Sequence, residues 1–165
     1  MPVYWGIAGY PISHSLTPRL FSLVGDYLGM TAATVYLEAR GIDEFASLVE
    51  DLEGEVWTSC TAPLKHSPQE RLGVNGPDGV NAINQLRRKD GVWSGTSTDG
   101  VGFVAACRHI GIEPKGCVLR IRGGGSAARA IAAAWSNEGG RIIAEEGRRP
   151  LASGPWDSAI IDDGD

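Results

Sequence analysis

Short apolar runs alternate with longer amphipathic stretches along the first part of the chain. Apolar and β-branched residues predict strands at residues 3–8, 34–37 and 55–60. Between these runs, residues 18–28 and 43–52 place apolar side chains at helical spacing, which predicts two helices. Strands that alternate with helices are typical of parallel βαβ units. The pattern therefore predicts an α/β fold for the N-terminal region.

Local signals predict how the first helix begins and ends. Thr17 is a residue type favoured as an N-cap, and Pro18 suits the first helical turn. Gly29 follows the last apolar residue and suits the C-terminal side of the helix. We therefore expect Thr17 to cap this helix.

The middle of the chain predicts a loop, a hairpin and a third helix. Glycines and prolines in residues 66–80 predict mainly loop with one short helical turn. Residues 82–86 and 92–94 flank the turn Lys89-Asp90-Gly91 and predict a hairpin, with Arg87 and Arg88 at its solvated tip. A helix is predicted over residues 99–110, capped by Thr98 or Asp99 and stopped by Gly111.

The remaining pattern predicts a second, smaller βαβ unit. Strands are expected at residues 117–121 and 141–144, with a helix over 126–137 between them. Residues 156–161 predict one more strand. We predict a substrate-binding catalytic domain over residues 1–100 and a partial dinucleotide-binding domain over 101–165, with the helix of residues 99–110 bridging them.

Composition excludes several classes of function. The net charge is −5 and the basic residues are scattered, which argues against nucleic-acid binding. Apolar runs stay shorter than the ~20 residues that a membrane span needs, and no secretory signal is evident, so no membrane partner is expected. The three cysteines form no Cys-x-x-Cys pair and the three histidines lack ligand spacing. We expect a cytoplasmic protein without a metal.

A pair of serines follows the first predicted strand. Ser13 and Ser15 precede a helix, and two hydroxyls one residue apart can both face a ligand carboxylate near a helix N-terminus. The alternative is that both serines only cap turns, which is the commoner use of this residue type.

Three further polar residues follow predicted strands or precede a predicted helix. Lys65 follows the strand of residues 55–60, and an ammonium at the carboxyl end of a strand can exchange a proton with a substrate oxygen. Asp99 could orient such a lysine, or serve only as a helix cap. Asn84 offers a donor and an acceptor to a ligand hydroxyl, or pairs with a neighbouring turn. An exposed surface lysine is the alternative for Lys65.

A glycine turn after the strand of residues 117–121 predicts a dinucleotide site. Gly123-x-Gly125-x-x-Ala128 opens an alanine-rich helix, which is the context in which glycines let the backbone approach a pyrophosphate. A tight strand–helix turn without a ligand is the alternative. Acidic residues near the end of the next strand favour NAD and basic ones favour NADP, and the chain has both, namely Glu145, Glu146, Arg148 and Arg149.

Together these motifs resemble the shikimate/quinate dehydrogenase family, from about Trp5 to about Ala134. The matching runs are Gly9-Tyr10-Pro11-Ile12-Ser13-His14-Ser15-Leu16-Thr17-Pro18, Thr61-Ala62-Pro63-Leu64-Lys65, the segment at Asn84, Thr98-Asp99-Gly100-Val101-Gly102-Phe103 and Gly123-Gly124-Gly125-Ser126-Ala127-Ala128-Arg129-Ala130.

The resemblance implies a site for a shikimate-like or quinate-like acid and a nicotinamide cofactor. It implies that Lys65 is the catalytic lysine with Asp99 as its partner, and that Ser13, Ser15, Thr61 and Asn84 contact substrate. The cofactor is NADP, with NAD possible, and the implied cofactor-binding residues are Gly123, Gly124, Gly125, Ser126, Ala127 and Arg148. The reaction implied is reversible NADPH-dependent reduction of 3-dehydroshikimate to shikimate.

The chain also departs from the family. It lacks most of the family's C-terminal half, so the expected fold is an N-terminal βαβ substrate-binding domain followed by a truncated Rossmann-like nucleotide-binding domain. A half-built sheet leaves an open edge that a second copy could cover, which makes a homodimer possible. An alternative to an active dehydrogenase is a catalytically impaired remnant that binds shikimate or depends on a partner.

Overall fold

The computed structural model describes residues 1–66 and 71–164 and divides the chain into two compact units. The first unit comprises Met1–Gly76 and Ile83–Thr96, and the second comprises Pro77–Ala82 and Ser97–Asp165. The short helical turn predicted within residues 66–80 falls partly on residues 67–70, which lie outside the described residues. Across the described residues, no helix has both the length and the apolar character needed to cross a membrane.

A five-stranded mixed sheet forms the centre of the first unit. Its strands are β1 (Tyr4–Gly9), β2 (Ala33–Glu38), β3 (Val56–Cys60), β4 (Gln85–Lys89) and β5 (Val92–Thr96), in the order β2-β1-β3-β4-β5. The first three strands run parallel, and β4 and β5 are antiparallel additions. This arrangement follows from the sequence, because β1, β2 and β3 are separated by helices whereas β4 and β5 are joined by a tight turn.

The helices of the first unit connect its parallel strands along the chain. They are α1 (Thr17–Leu28) and α2 (Ile42–Glu50), and a short 3₁₀ turn follows β3 at Leu64–His66. Phe45 and Val49 of α2 lie in a core with Leu37 of β2 and Cys60 of β3. This buried apolar cluster fixes the sheet, whose edge carries the predicted polar loops.

Two local predictions for the first unit are wrong. Thr17 is the first residue of α1 rather than its cap; Leu16 is the N-cap, and the Thr17 N–H donates to Ser15 Oγ at 3.2 Å. The predicted position of Gly29 at the C-terminal side of the helix is confirmed: it is the C-cap of α1, with φ 64°. The arginines are not at the hairpin tip: Arg88 lies within β4 and donates to the Val49 carbonyl at 2.8 Å, because a guanidinium can satisfy carbonyls at the end of α2.

The second unit has a two-stranded parallel sheet flanked by helices. Its elements are α3 (Asp99–His109), β6 (Val118–Arg122), α4 (Ser126–Asn137) and β7 (Arg141–Glu145). Helix α3 packs closely on α4, since a Cβ at Gly100 would lie 2.0 Å from the Ala130 carbonyl oxygen. The helix expected to bridge the domains lies within the second unit.

The strand predicted over residues 156–161 does not form. A 3₁₀ turn occupies Asp157–Ala159, and a single parallel bridge joins Ile160 to Ile142 of β7. Trp156 is 1% exposed, and its ring folds back on the chain so closely that a Cβ at Gly154 would lie 2.5 Å from it. Burying the indole requires a compact turn, and this overrides the strand propensity of the segment.

Candidate functional site

The loops that follow β1 and β3 meet at one edge of the first-unit sheet. Because these strands are parallel neighbours, their carboxyl ends lie together. The Thr61 N–H donates to the Ala8 carbonyl at 2.9 Å, and the Tyr10 N–H donates to the Ala62 carbonyl at 2.9 Å. The segment carrying Ser13 and Ser15 therefore begins beside the segment carrying Thr61 and Lys65.

Gly9 explains how closely these two segments approach. Its φ is 141°, and a Cβ at this position would lie 2.5 Å from Thr61 Cγ2 and 2.7 Å from the Ala62 carbonyl oxygen. Only glycine fits this conformation and this contact. The glycine of the first motif thus serves the approach of the second motif, although they are separated by about fifty residues of sequence.

Asn84 lies at the same sheet edge. Its carbonyl accepts from the Cys60 N–H at 2.7 Å, and its own N–H donates to the Thr96 carbonyl at 3.1 Å. The residue is 7% exposed, which is unusual for an asparagine. The neighbouring Ile83 N–H donates to the Lys65 carbonyl at 2.9 Å, so Asn84 and Lys65 lie on adjoining backbone segments.

Neighbouring residues fix the backbone position of Lys65. It lies in the 3₁₀ turn beside Leu64, which is fully buried, and the Leu64 N–H donates to the Thr61 carbonyl at 2.9 Å. Lys65 itself is partly exposed. A buried anchor next to a partly exposed lysine fixes the backbone of residue 65 at this edge of the sheet.

The other predicted residues of this edge differ in exposure. Ser13 is exposed, and Ser15 is partly buried with its hydroxyl accepting from Thr17. The turn-capping alternative is therefore realised at Ser15, which keeps its hydroxyl hydrogen for a further acceptor. Asp99 is the first residue of α3 in the second unit, so its pairing with Lys65 stays a prediction.

The three glycines in the glycine turn of the second unit have different structural roles. Gly123 has φ 82°, which favours glycine, and its N–H donates to the Glu145 carbonyl at 3.2 Å. A Cβ at Gly124 would lie 2.0 Å from the Pro150 carbonyl oxygen, so this glycine is required by the chain itself. Gly125 is the N-cap of α4, and a Cβ there would meet nothing within 4 Å. Gly125 is also the most exposed of the three glycines, so its backbone is the most accessible to a ligand.

A cavity of about 370 Å³ lies at this turn. It is lined by the three glycines and Gly147, together with three arginines: Arg122, Arg148 and Arg149. Helix α4 begins here, and its first-turn N–H groups have no intrahelical acceptors. Ser126 and Ala127 occupy this first turn. A positive cradle at a helix N-terminus is suited to a phosphate or another anion.

Arg129 is a site residue whose role the sequence analysis missed. Its guanidinium donates to the carbonyls of Val80 at 2.8 Å, Asn81 at 2.9 Å and Gly124 at 3.2 Å. Burial, together with the Arg149 charge, lowers its pKa from the ordinary value. The first of these acceptors is 49 residues away along the chain, so motif spacing gave no signal for this contact.

Replacing Arg129 by methionine is expected to lower the free energy of unfolding by about 2–4 kcal/mol, because three carbonyls lose a charged donor. Urea unfolding followed by circular dichroism measures this change. Arg141→Met is the matched control: Arg141 is exposed, and we expect its replacement to change stability by less than about 0.5 kcal/mol. Equal effects of the two variants would contradict the anchoring role of Arg129.

The architecture is that of an α/β protein with a partial Rossmann-like unit, as predicted. No family model matches the chain. The chain is 33% identical over 159 residues to the shikimate dehydrogenase (NADP(+)) of Geobacter sp. strain M21, covering 90% of this chain and 52% of that protein.

Solved structures show the same fold. Shikimate dehydrogenase from Aquifex aeolicus matches with a TM-score of 0.76 at 24% identity, covering 86% of this chain and 55% of that chain. Shikimate 5-dehydrogenase from Thermus thermophilus, in complex with NADP(H) and shikimate, matches with a TM-score of 0.72 at 24% identity over 86% and 54% of the two chains. The resemblance to shikimate dehydrogenases is thereby confirmed, and the chain spans about half the length of the curated relatives it matches.

Proposed function

We propose that this chain is a nicotinamide-dependent oxidoreductase that interconverts 3-dehydroshikimate and shikimate. The observation that carries the proposal is the single sheet edge of the first unit, where the segments bearing Ser13, Ser15, Thr61, Lys65 and Asn84 adjoin. These residues lie far apart in sequence, and an edge at the carboxyl ends of parallel strands is where α/β proteins bind ligands. The resemblance to shikimate dehydrogenases gives the substrate class.

In this proposal the hydroxyls and the amide hold the acid. Ser13 and Ser15 donate to the substrate carboxylate, while Thr61 and Asn84 contact the ring hydroxyls. Asn84 is suited to this role because its side chain is buried and its backbone is fixed by hydrogen bonds to β3 and β5. A side chain with both a donor and an acceptor can then discriminate the orientation of a hydroxyl.

Lys65 is the proposed proton donor and acceptor at the reacting oxygen, with Asp99 as its partner. In the reducing direction the ammonium gives a proton to the carbonyl oxygen of 3-dehydroshikimate, and in the oxidising direction the amine takes it back. NADP, when bound, supplies or accepts the hydride. Each reduction therefore consumes one hydride and one proton, and the carbonyl becomes the secondary alcohol of shikimate.

The second unit is proposed to bind the cofactor at its glycine turn. The open backbone at Gly125 supports close approach of a pyrophosphate, and Ser126 and Ala127 contribute the helix start. Arg148 and Arg149 line the cavity, whereas the Glu145 carboxylate is paired with Arg120 at 3.5 Å on the surface. This distribution of charge favours the 2′-phosphate of NADP over NAD.

Absorbance of the reduced cofactor at high protein concentration tests the proposal directly. We expect reduction of NADP with shikimate as substrate, and slower reduction of NAD. Quinate in place of shikimate identifies which of the two acids is preferred. Absence of reduced cofactor with either acid and either nucleotide would refute activity for this chain.

A second candidate is a dehydrogenase remnant that binds the acid without turning it over. The two-stranded sheet of the second unit favours it, because a dinucleotide fold is usually built on a larger sheet. Calorimetry distinguishes the candidates. Shikimate binding without NADP binding supports the remnant, whereas binding of both ligands supports the enzyme.

A further inference from the structure

Tyr10 is the residue at which the chain leaves β1. We call residues 10–15, which include both serines of the proposed substrate site, the serine segment. The carbonyl of Gly9, just before it, accepts from the Ala39 N–H at 3.0 Å, and the Tyr10 N–H donates to the Ala62 carbonyl at 2.9 Å. Backbone bonds to the segments that follow β2 and β3 therefore fix the point at which the serine segment begins.

The Tyr10 side chain contacts Arg40, a residue that lies in none of the sequence motifs. One guanidinium nitrogen of Arg40 donates to the Tyr10 hydroxyl at 2.9 Å, and the guanidinium carbon lies 4.3 Å from the centroid of the Tyr10 ring. A guanidinium is suited to both contacts, because its plane stacks on an aromatic face while its N–H groups donate in that plane. Arg40 therefore holds both the ring and the hydroxyl of Tyr10.

Arg40 makes this contact from an ordered stretch of backbone. It lies between the end of β2 and the start of α2, where Gly41 is the N-cap. Its N–H donates to Glu44 Oε2 at 2.7 Å, and Ala39 before it is fully buried. A carboxylate in the first helical turn that accepts a backbone N–H just ahead of the helix orders the entry of the chain. The Arg40 side chain thus reaches Tyr10 from a defined position.

Ile12 anchors the serine segment beyond Tyr10. Its side chain is 2% exposed, and its carbonyl accepts from the Ser15 N–H at 3.0 Å. Ser13 follows directly and is exposed. Because only two residues separate Tyr10 from Ser13, fixing the tyrosine restricts the conformations open to the serines, and this restriction is an entropic cost met before any ligand binds.

We propose that Arg40 is a positioning residue for the carboxylate of the substrate, acting through Tyr10 on the serine segment. The inference rests on the proposed function, in which Ser13 and Ser15 donate to that carboxylate. Ordering the segment before the acid arrives removes part of the entropic cost of binding, so the acid binds more tightly. The reacting oxygen is assigned to Lys65, so Arg40 affects the binding of the acid and leaves the proton transfer unchanged.

Titration calorimetry with shikimate, in the absence of cofactor, tests this role. Arg40→Met should raise the dissociation constant about five- to tenfold, because methionine neither donates to the Tyr10 hydroxyl nor stacks as a cation. In steady-state kinetics, KM for shikimate should rise by a similar factor while kcat stays within about twofold. Arg141→Met is the matched control, since it removes an exposed arginine of the second unit, and it should leave binding unchanged.

Methyl shikimate separates carboxylate binding from general damage to the site. Its ester is uncharged and a weaker acceptor, so its affinity should differ between the unaltered chain and Arg40→Met by less than about twofold. Thermal unfolding should also be unchanged, since Arg40 and Tyr10 are both exposed. An equal loss of affinity for the acid and for its ester would overturn the carboxylate role.

Tyr10→Phe tests whether Arg40 acts through Tyr10. Because phenylalanine keeps the ring and loses the hydroxyl, shikimate binding should weaken less than in Arg40→Met. The double variant should bind no more weakly than Arg40→Met alone, and additive effects of the two substitutions would overturn the proposal. Amide hydrogen exchange of the Ser15 N–H gives a readout without ligand, and Arg40→Met should raise its rate at least about fivefold.

The outcomes for Arg40 and for the proposed function are distinguishable. If the unaltered chain binds shikimate and Arg40→Met binds it within about twofold as tightly, the role of Arg40 is refuted and the proposed function stands. An unchanged Ser15 exchange rate refutes the role of Arg40 in the same way. Failure of the unaltered chain to bind shikimate would instead refute the proposed function, and the carboxylate role of Arg40 with it.

Discussion

Lys65→Met is expected to lower kcat for shikimate oxidation by about 10³-fold, because it removes the group proposed to take the hydroxyl proton. KM should change much less, since the serines, Thr61 and Asn84 remain to hold the acid. The fold should be retained, because the Lys65 carbonyl accepts from the Ile83 N–H and the neighbouring Leu64 is buried, and both contacts remain in the variant. Steady-state kinetics with shikimate and NADP measure both constants.

Lys89→Met is the matched control for this experiment. Lys89 is an exposed lysine at the end of β4, and its replacement removes the same charge without touching the sheet edge of β1 and β3. We expect its kinetics to match those of the unaltered chain. A Lys65→Met variant with unchanged kcat would show that Lys65 is only a surface lysine, and the proton-transfer proposal would then be withdrawn.

Gly124→Ser and Gly125→Ser are expected to have opposite effects. At position 124 the new Cβ meets the Pro150 carbonyl oxygen at 2.0 Å, so the chain must shift, and we expect unfolding to become easier by at least about 3 kcal/mol. At position 125 the new Cβ meets nothing, and serine is a favoured N-cap, so stability should be unchanged or slightly raised.

The same pair separates packing from ligand binding. Gly125→Ser places a side chain where the pyrophosphate would approach, and we expect it to weaken NADP binding at least about tenfold while thermal stability is kept. Titration calorimetry and thermal unfolding measure the two properties on the same sample. If Gly125→Ser bound NADP as tightly as the unaltered chain, the glycine turn would be a structural turn and no cofactor site.

Several features of the fold could be predicted because their causes are local. Apolar runs separated by amphipathic stretches gave β1, α1, β2, α2 and β3 to within two residues at each end. Strand β6, helix α4 and strand β7 followed from the same rule. The Asp90-Gly91 turn was predictable because both residues accept a positive φ, 50° and 76°, which a tight hairpin requires.

Contacts between distant segments could not be predicted in this way. Which side of α1 is buried depends on the fit of Gly25 and Phe21 against Trp5, and the sequence pattern does not specify this fit. The compact turn at Trp156 likewise depends on space available in the second core. In both cases, the packing of a large aromatic ring determines the local structure, and the secondary-structure preferences of the residues do not.

The sequence by itself determined the α/β class, the order of the elements and the identity of the polar motifs, because these depend on periodicity and on turn chemistry near each residue. Tertiary structure alone decided that the Thr61 loop packs against Gly9, and that Arg129 donates to the carbonyls of residues 80 and 81. It also decided that a Cβ at position 124 would collide with the chain, whereas a Cβ at position 125 would meet no neighbour. The physical reason is that such contacts depend on distances of a few ångströms between segments that the chain keeps far apart, and no local preference encodes those distances.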